Sequence, residues 1–172
     1  GEAARGVAAV GASEKLRLRG FHAHIGSQIF ELESYARAIE ALAEFVDSVD
    51  LEGAREVLNV GGGLGIAYGA GEQPPAIADY VAVKVEAIRR LFDPMPRILI
   101  EPGRSLVGNA GLTAYRVGTV KEIPGVRTYV AVDGGMSDNL RPMLYGSTYE
   151  ALIADRAAEP AEALATIAGM HC

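Results

Sequence analysis

The sequence predicts an α/β chain: the last strands and helices of a (β/α)8 barrel over residues 1–104, then part of an all-β domain over residues 105–172. Three observations predict it. Apolar strand-like runs alternate with amphipathic helical segments through the first hundred residues. The runs recur roughly every 35–40 residues, the repeat of a (β/α)8 barrel unit. After Arg104 the helical period fades and strand-like alternation takes over.

Taken in order, a helix is expected over 2–12, and residues 18–25 form a first strand that runs into Gly26. Over 33–49, Tyr35, Ile39, Leu42, Val46 and Val49 recur at spacings of three and four, which places them on one helical face. Residues 56–60 form a second strand. Pro74 and Pro75 open the next helix, since proline is tolerated in a first turn. Its stripe is Ile77, Val81, Ile88 and Leu91, and Asp93-Pro94 closes it. Residues 97–100 are a third strand, ending at Glu101. Such near-continuous apolar strands imply a parallel sheet buried on both faces. Beyond Arg104, residues 111–123 alternate, Gly125 makes a turn, and 128–132, 148–154 and 164–168 read as strands. Residues 155–163 read as a loop, and no strong amphipathic helix is expected. Three strands cannot close a barrel, so the rest is expected upstream of Gly1. The chain is therefore expected to be an excerpt of a longer protein.

Composition bounds the function. Of 172 residues, 49% are hydrophobic and 22% charged, the balance of a soluble globular chain. A net charge of −6 gives no basis for binding nucleic acid or an anionic membrane surface. No apolar run has the length of a membrane span. A single cysteine, Cys172, excludes an internal disulfide framework, so a reducing cytoplasm is the expected compartment.

The unusual residues cluster at the C-terminal ends of the three strands, where barrels and open α/β sheets both place their chemistry. Gly61, Gly62, Gly63 and Gly65 follow the second strand. A backbone without Cβ atoms lets a ligand approach closely and turns N–H groups toward an anion, although a tight turn also calls for such residues. The run lacks the GxGxxG spacing and no Gly-Lys-Ser/Thr follows, so a compact phosphate fits better than a dinucleotide. His22 and His24 stand two apart on a strand and face the same way. A metal pair is open on that count, but only His171 could add a third imidazole. His22 reads better as a core histidine. His24 reads as such a histidine or as a ring stacked on an aromatic cofactor, with Ser27 as a phosphate donor. Glu101, at the end of a buried strand, needs a partner. Arg104 is one candidate and a ring nitrogen another, which a carboxylate would keep protonated. In the loop from Asp133 to Gly146, Arg141 offers a planar fork for a carboxylate and Tyr145 a hydroxyl.

His24-Ile25-Gly26-Ser27-Gln28, Gly61-Gly62-Gly63-Leu64-Gly65, Glu101-Pro102-Gly103-Arg104 and the stretch from Asp133-Gly134-Gly135-Met136-Ser137-Asp138-Asn139 to Arg141-Pro142-Met143-Leu144-Tyr145-Gly146 occur in that order. In that order they resemble the diaminopimelate decarboxylase family, in the alanine-racemase-like group of pyridoxal 5'-phosphate (PLP) enzymes. The resemblance covers the chain but only the middle of the family's length. It implies PLP as cofactor, an amino acid as substrate, and a homodimer with shared active sites. It implies that His24 stacks on the pyridine and that Glu101 faces its nitrogen. Ser27, Gly61, Gly62, Gly63, Gly65, Pro102, Gly103 and the backbone of Arg104 would hold the cofactor. Arg104, Arg141 and Tyr145 would bind the distal end of the substrate. Cys172 would protonate the carbanion left in the partner's site after CO2 departs. A distal arginine favours meso-diaminopimelate, with L-lysine as product, over ornithine or arginine; a decarboxylase of the same fold for ornithine, arginine or a carboxylated polyamine is the alternative. A non-catalytic PLP-binding relative and a metal-dependent hydrolase using His22 and His24 are the other readings. The resemblance also implies a cofactor-binding lysine upstream. Lys15, Lys84 and Lys121 read as helical or solvent-facing, and none matches it. The chain alone is expected to be inactive.

Overall fold

The computed structural model describes residues 1–51, 53–69 and 71–171. Two compact units make up the chain: Gly1–Ala67 with Glu72–Ala110, and Tyr68–Gly71 with Gly111–Cys172.

The first unit contains α1 (Glu2–Gly11), β1 (Gly20–His22), α2 (Glu33–Asp47), β2 (Val57–Asn59), α3 (Ile77–Leu91), β3 (Arg97–Leu99) and the short α4 (Gly103–Val107). The strands form one parallel sheet in chain order, with Phe21, Leu58 and Ile98 in register. Parallel neighbours need a crossover, and α2 and α3 supply it. Period two then sorts the side chains. Phe21, Leu58, Val60, Ile98 and Ile100 pack with Ile39, Ala43, Val46, Ala87, Ile88 and Phe92 in one core. Their neighbours in sequence, His22, Asn59, Leu99 and Glu101, stand on the other face.

That second face is open in this three-stranded sheet. The polar His22 and Glu101 are exposed there, and so is the apolar Leu99. The regular strands are also shorter than the runs, three residues each. Helix α2 stops at Asp47, and α3 starts at Ile77 after the extended Ala76, so Pro74 and Pro75 precede the helix rather than fill its first turn.

The second unit contains β4 (Val117–Ile123), β5 (Arg127–Val132), α5 (Arg141–Tyr145), a 3-10 turn (Ala154–Arg156) and β6 (Thr166–Ala168). Strands β4 and β5 are antiparallel, joined through Gly125 at φ 73°, and β6 lies parallel to β5. Residues 148–153 are irregular, not a strand, and the 3-10 turn follows them. Helices α4 and α5 arise where the sequence pattern predicts none. Five residues are too few to display a 3.6-residue period. Gly146 caps α5 in the left-handed region, at φ 61°. Among the described residues no helix is long and apolar enough to cross a membrane.

Candidate functional site

The three strand-end motifs of the first unit meet. Backbone bonds continue the ladder past the regular strands: Ala23 N–H to Asn59 C=O at 3.0 Å, Val60 N–H to Leu99 C=O at 3.0 Å, and Glu101 N–H to Gly61 C=O at 3.0 Å. The glycine loop sits between its neighbours. A Cβ on Gly61 would stand 2.6 Å from the Ala23 carbonyl. One on Gly62 would run into the Glu101 carbonyl, one on Gly63 into the Gly26 carbonyl, and one on Gly65 into the Phe30 ring. The lack of side chains thus serves close backbone contact within the protein. Gly63 differs from the others. It lies at φ 101°, it is only partly buried, and its N–H has no protein acceptor among the described residues.

Asn59 ties the motifs together. Its Nδ2 donates to Glu101 Oε1 at 2.7 Å, and its Oδ1 accepts the Gly61 N–H at 3.0 Å. Glu101 is 54% exposed on its side chain and lies 3.5 Å from His22 Nε2. It is therefore neither buried nor paired with Arg104. Arg104 Nη1 donates instead to Gln28 Oε1 at 3.0 Å. Gln28 also clasps Ile66, donating to its carbonyl at 2.6 Å and accepting its N–H at 3.2 Å. His22 is correspondingly exposed rather than a core histidine. His24 accepts the Gly62 N–H at Nδ1, at 3.3 Å. Ser27 is exposed in the loop beside it, and Pro102 caps α4 ahead of Gly103.

Beneath the loop lies a group that the sequence pattern conceals. Lys84, read from sequence as helical or solvent-facing, is fully buried at 0% exposure. Its Nζ donates to Val60 C=O at 2.7 Å, Gly61 C=O at 3.3 Å and Tyr80 Oη at 2.7 Å. The rings of Tyr35 and Tyr80 flank it, with centroids at 4.5 and 4.2 Å. Burial pulls the lysine down to about 8. Burial pushes both tyrosines up to about 12, helped at Tyr35 by Tyr80 and at Tyr80 by the charge of Glu101. Tyr80 Oη donates to Gly61 C=O at 3.2 Å, whereas the buried Tyr35 Oη has no partner among the described residues. A signal for Lys84 is present in the sequence: it lies four residues from both Tyr80 and Ile88, inside the buried stripe of α3. Asn59, which sequence reasoning also misses, interrupts the apolar run from Val57 to Val60.

In the second unit, α5 brings Arg141 and Tyr145 together, the guanidinium carbon 5.3 Å from the Tyr145 ring centroid and 5.8 Å from that of Tyr68. Arg141 Nη2 donates to Ser147 Oγ at 3.4 Å, and its buried Nε lacks a partner among the described residues. The Asp133–Asn139 stretch is held by its own carboxylates: Asp133 Oδ1 accepts the Arg116 N–H at 2.7 Å and Asp138 Oδ2 the Gly135 N–H at 2.8 Å. His171 Nε2 accepts the Ser137 N–H at 3.2 Å, far in sequence from His22 and His24. Among the described residues no three His, Cys, Asp or Glu side chains gather as a metal site. Cys172 lies outside the described residues.

Residues 1–108 match the family model for the pyridoxal-binding domain of pyridoxal-dependent decarboxylases. The chain belongs to that family. The cofactor of this domain is pyridoxal phosphate, and the fold is that of the alanine-racemase-like decarboxylases. The chain is 48% identical to a diaminopimelate decarboxylase of Bacillus subtilis (strain 168), over all of this chain and 40% of that one. It thus spans about two fifths of the length of the curated relatives it matches. Diaminopimelate decarboxylase from Helicobacter pylori, solved with L-lysine, superposes with a TM-score of 0.79 at 30% identity, covering 99% of this chain and 41% of that one. A lysine/ornithine decarboxylase from Vibrio vulnificus, solved with cadaverine, shares the fold at a TM-score of 0.72. Its identity is 23%, over 91% of this chain and 42% of that one.

The residues present suit pyridoxal phosphate. A phosphate calls for unpaired donors and positive charge. The Gly63 N–H is unpaired among the described residues. The partnerless Tyr35 hydroxyl lies 3.4 Å from where a Gly63 Cβ would be. A protonated pyridine calls for an accessible carboxylate, and Glu101 presents one on the sheet face that also carries His22 and Asn59.

Proposed function

We propose that the full-length protein is a PLP-dependent carboxy-lyase that converts meso-2,6-diaminopimelate to L-lysine. The observation that carries the proposal is the presentation of Glu101: a half-exposed carboxylate at a strand end, fixed by Asn59 and joined through it to the glycine loop. The 48% identity to a diaminopimelate decarboxylase and the lysine-bound relative support the substrate. In this proposal residues 1–104 close the cofactor barrel and residues 105–172 belong to the following β domain.

When bound, the cofactor withdraws the electron pair left on the substrate's α-carbon as CO2 leaves. The chain's own residues do the rest. Glu101 holds a proton at the ring nitrogen, and Asn59 keeps the carboxylate aimed. His24 supports the ring face, oriented by the Gly62 N–H. Ser27, the Gly61–Gly65 loop through the open N–H of Gly63, and the Pro102-Gly103-Arg104 turn hold the phosphate. Arg104, Arg141 and Tyr145 bind the distal amino-acid end of the substrate. Cys172 delivers the proton that replaces CO2, across a homodimer interface. The enzyme works in the cytoplasm.

The test is product analysis with the full-length protein and added cofactor. Lysine and CO2 from meso-diaminopimelate, with no amine from ornithine or arginine, is the expected result. Turnover of ornithine alone would overturn the substrate, and no turnover of any amino acid would overturn the reaction. Glu101→Gln is expected to slow turnover on the order of 100-fold or more, the size seen when one preorganised electrostatic group is removed.

A further inference from the structure

We propose that Lys84 is the positioning residue of the phosphate loop: a buried ammonium that fixes two peptide planes of the loop and supplies the positive charge beneath it. The inference rests on the pyridoxal phosphate proposal above.

Among the described residues Lys84 has three acceptors and no donor directed at it. Val60 C=O, Gly61 C=O and Tyr80 Oη each take one N–H, and the Tyr80 hydroxyl proton is directed to Gly61 C=O. Three acceptors can take the three protons of an ammonium, and Gly61 C=O, the most distant of them, also accepts the Glu101 N–H at 3.0 Å. No carboxylate pairs with it among the described residues; two aromatic faces and two carbonyl dipoles offset its burial.

The carbonyls it holds define the loop. The peptide of Val60 C=O carries the Gly61 N–H, which binds Asn59 and so the Glu101 carboxylate. The peptide of Gly61 C=O carries the Gly62 N–H, which binds His24. A trans peptide directs its N–H opposite its C=O. Anchoring two carbonyls on Lys84 therefore turns two N–H groups toward the residues of the cofactor face. The buried charge that remains uncompensated is the complement of a phosphate dianion.

The experiment uses the full-length apoprotein and two probes, pyridoxal phosphate and pyridoxal, which differ only in the phosphate. Affinities are measured for the unsubstituted protein and for Lys84→Met, which keeps the length and removes the charge. The expected result is a loss on the order of tenfold for pyridoxal phosphate, with pyridoxal changed less than about twofold. A merely structural lysine would weaken both probes alike, and that result, or no loss at all, overturns the inference.

If the variant does not fold, the ratio of the two affinities in the unsubstituted protein decides as pH rises from 7 to 9.5. The facing groups from α2 and α3, Tyr35 and Tyr80, stay neutral there, since both are pushed up to about 12. A phosphate ester is already dianionic, with a second pKa near ~6. Glu101, His22 and His24 lie near both probes alike, so they cancel in the ratio. As Lys84 sheds its proton through about 8, the phosphate preference is expected to fall. A flat ratio overturns the inference. An unsubstituted protein that binds neither probe overturns the pyridoxal phosphate proposal and this inference together. Binding with a ratio indifferent to Lys84 overturns this inference alone.

Discussion

The two units of the chain bury their apolar residues very differently. In the first, Val46, Leu58, Tyr80 and Ile88 are at or below 1% exposure, closed between two helices and a parallel sheet. In the second, Leu112 is 90% exposed and Leu164 96%, and no large hydrophobic side chain of that unit is in the buried core among the described residues. The groups proposed to hold the cofactor stand on strand ends locked by ladder bonds over a packed core. Of the groups proposed to hold the substrate's distal end, Arg104 stands on α4 of the first unit, and Arg141 and Tyr145 stand on a five-residue helix with no buried residue. In that proposal the cofactor groups are positioned by the folding of the first unit.

The largest expected effect breaks that contrast at its core. Leu58→Ala removes a fully buried side chain from between α2, α3 and the neighbouring strands, at a cost of about 2–5 kcal/mol. Leu112→Ala removes one that is already in water, and the expected change is within about 0.5 kcal/mol. Urea denaturation of the full-length variants measures both. Equal losses at the two sites would mean that Leu112 is covered in the full-length protein, and the contrast would then be a property of this segment only.

A sharper comparison uses one substitution at two glycines of positive φ. Gly125 turns the β4–β5 hairpin, and a Cβ placed there would meet nothing within 4 Å. Gly125→Ala therefore costs only the left-handed backbone, about 1–2 kcal/mol. At Gly63 the same backbone demand, φ 101°, is joined by collision with the Gly26 carbonyl. Gly63→Ala is expected to cost about 1 kcal/mol more and to weaken pyridoxal phosphate binding, which Gly125→Ala leaves unchanged. Thermal melts and cofactor titration separate the two.

Much of this contrast is legible in the sequence. The alternation of strand runs with the stripes of α2 and α3 needs only hydrophobic periodicity, and the glycine loops mark their own positions. What stays hidden depends on tertiary contact. Asn59 is one polar residue in an apolar run, and only the register with β3 places it against Glu101. Lys84 carries a charge usually read as solvent-facing, and its burial follows from the carbonyls of a loop more than twenty residues earlier. Residues 148–154 have the apolar content of a strand, but Leu152 and Ile153 are exposed and, among the described residues, no strand pairs with the segment. Strand propensity is expressed only where a pairing edge is available.

The smallest expected effect concerns the surface of the well-packed unit. Arg90 Nη2 lies 2.5 Å from Glu40 Oε1 and links α3 to α2, with side chains 62% and 46% exposed. The helices are already held by Ile39, Ala43, Val46, Ala87 and Ile88, so the ion pair fixes no geometry that the core leaves open. A pair this open to water gains little beyond the side-chain entropy it costs, and Arg90→Gln is expected to change stability by less than about 1 kcal/mol. The difference from the unsubstituted protein should shrink further at 1 M salt, where the screening length falls to about 3 Å. A larger loss that persisted in high salt would show that the stem of Arg90 packs on the helix pair, and that the core of the first unit extends further toward its surface than the buried residues indicate.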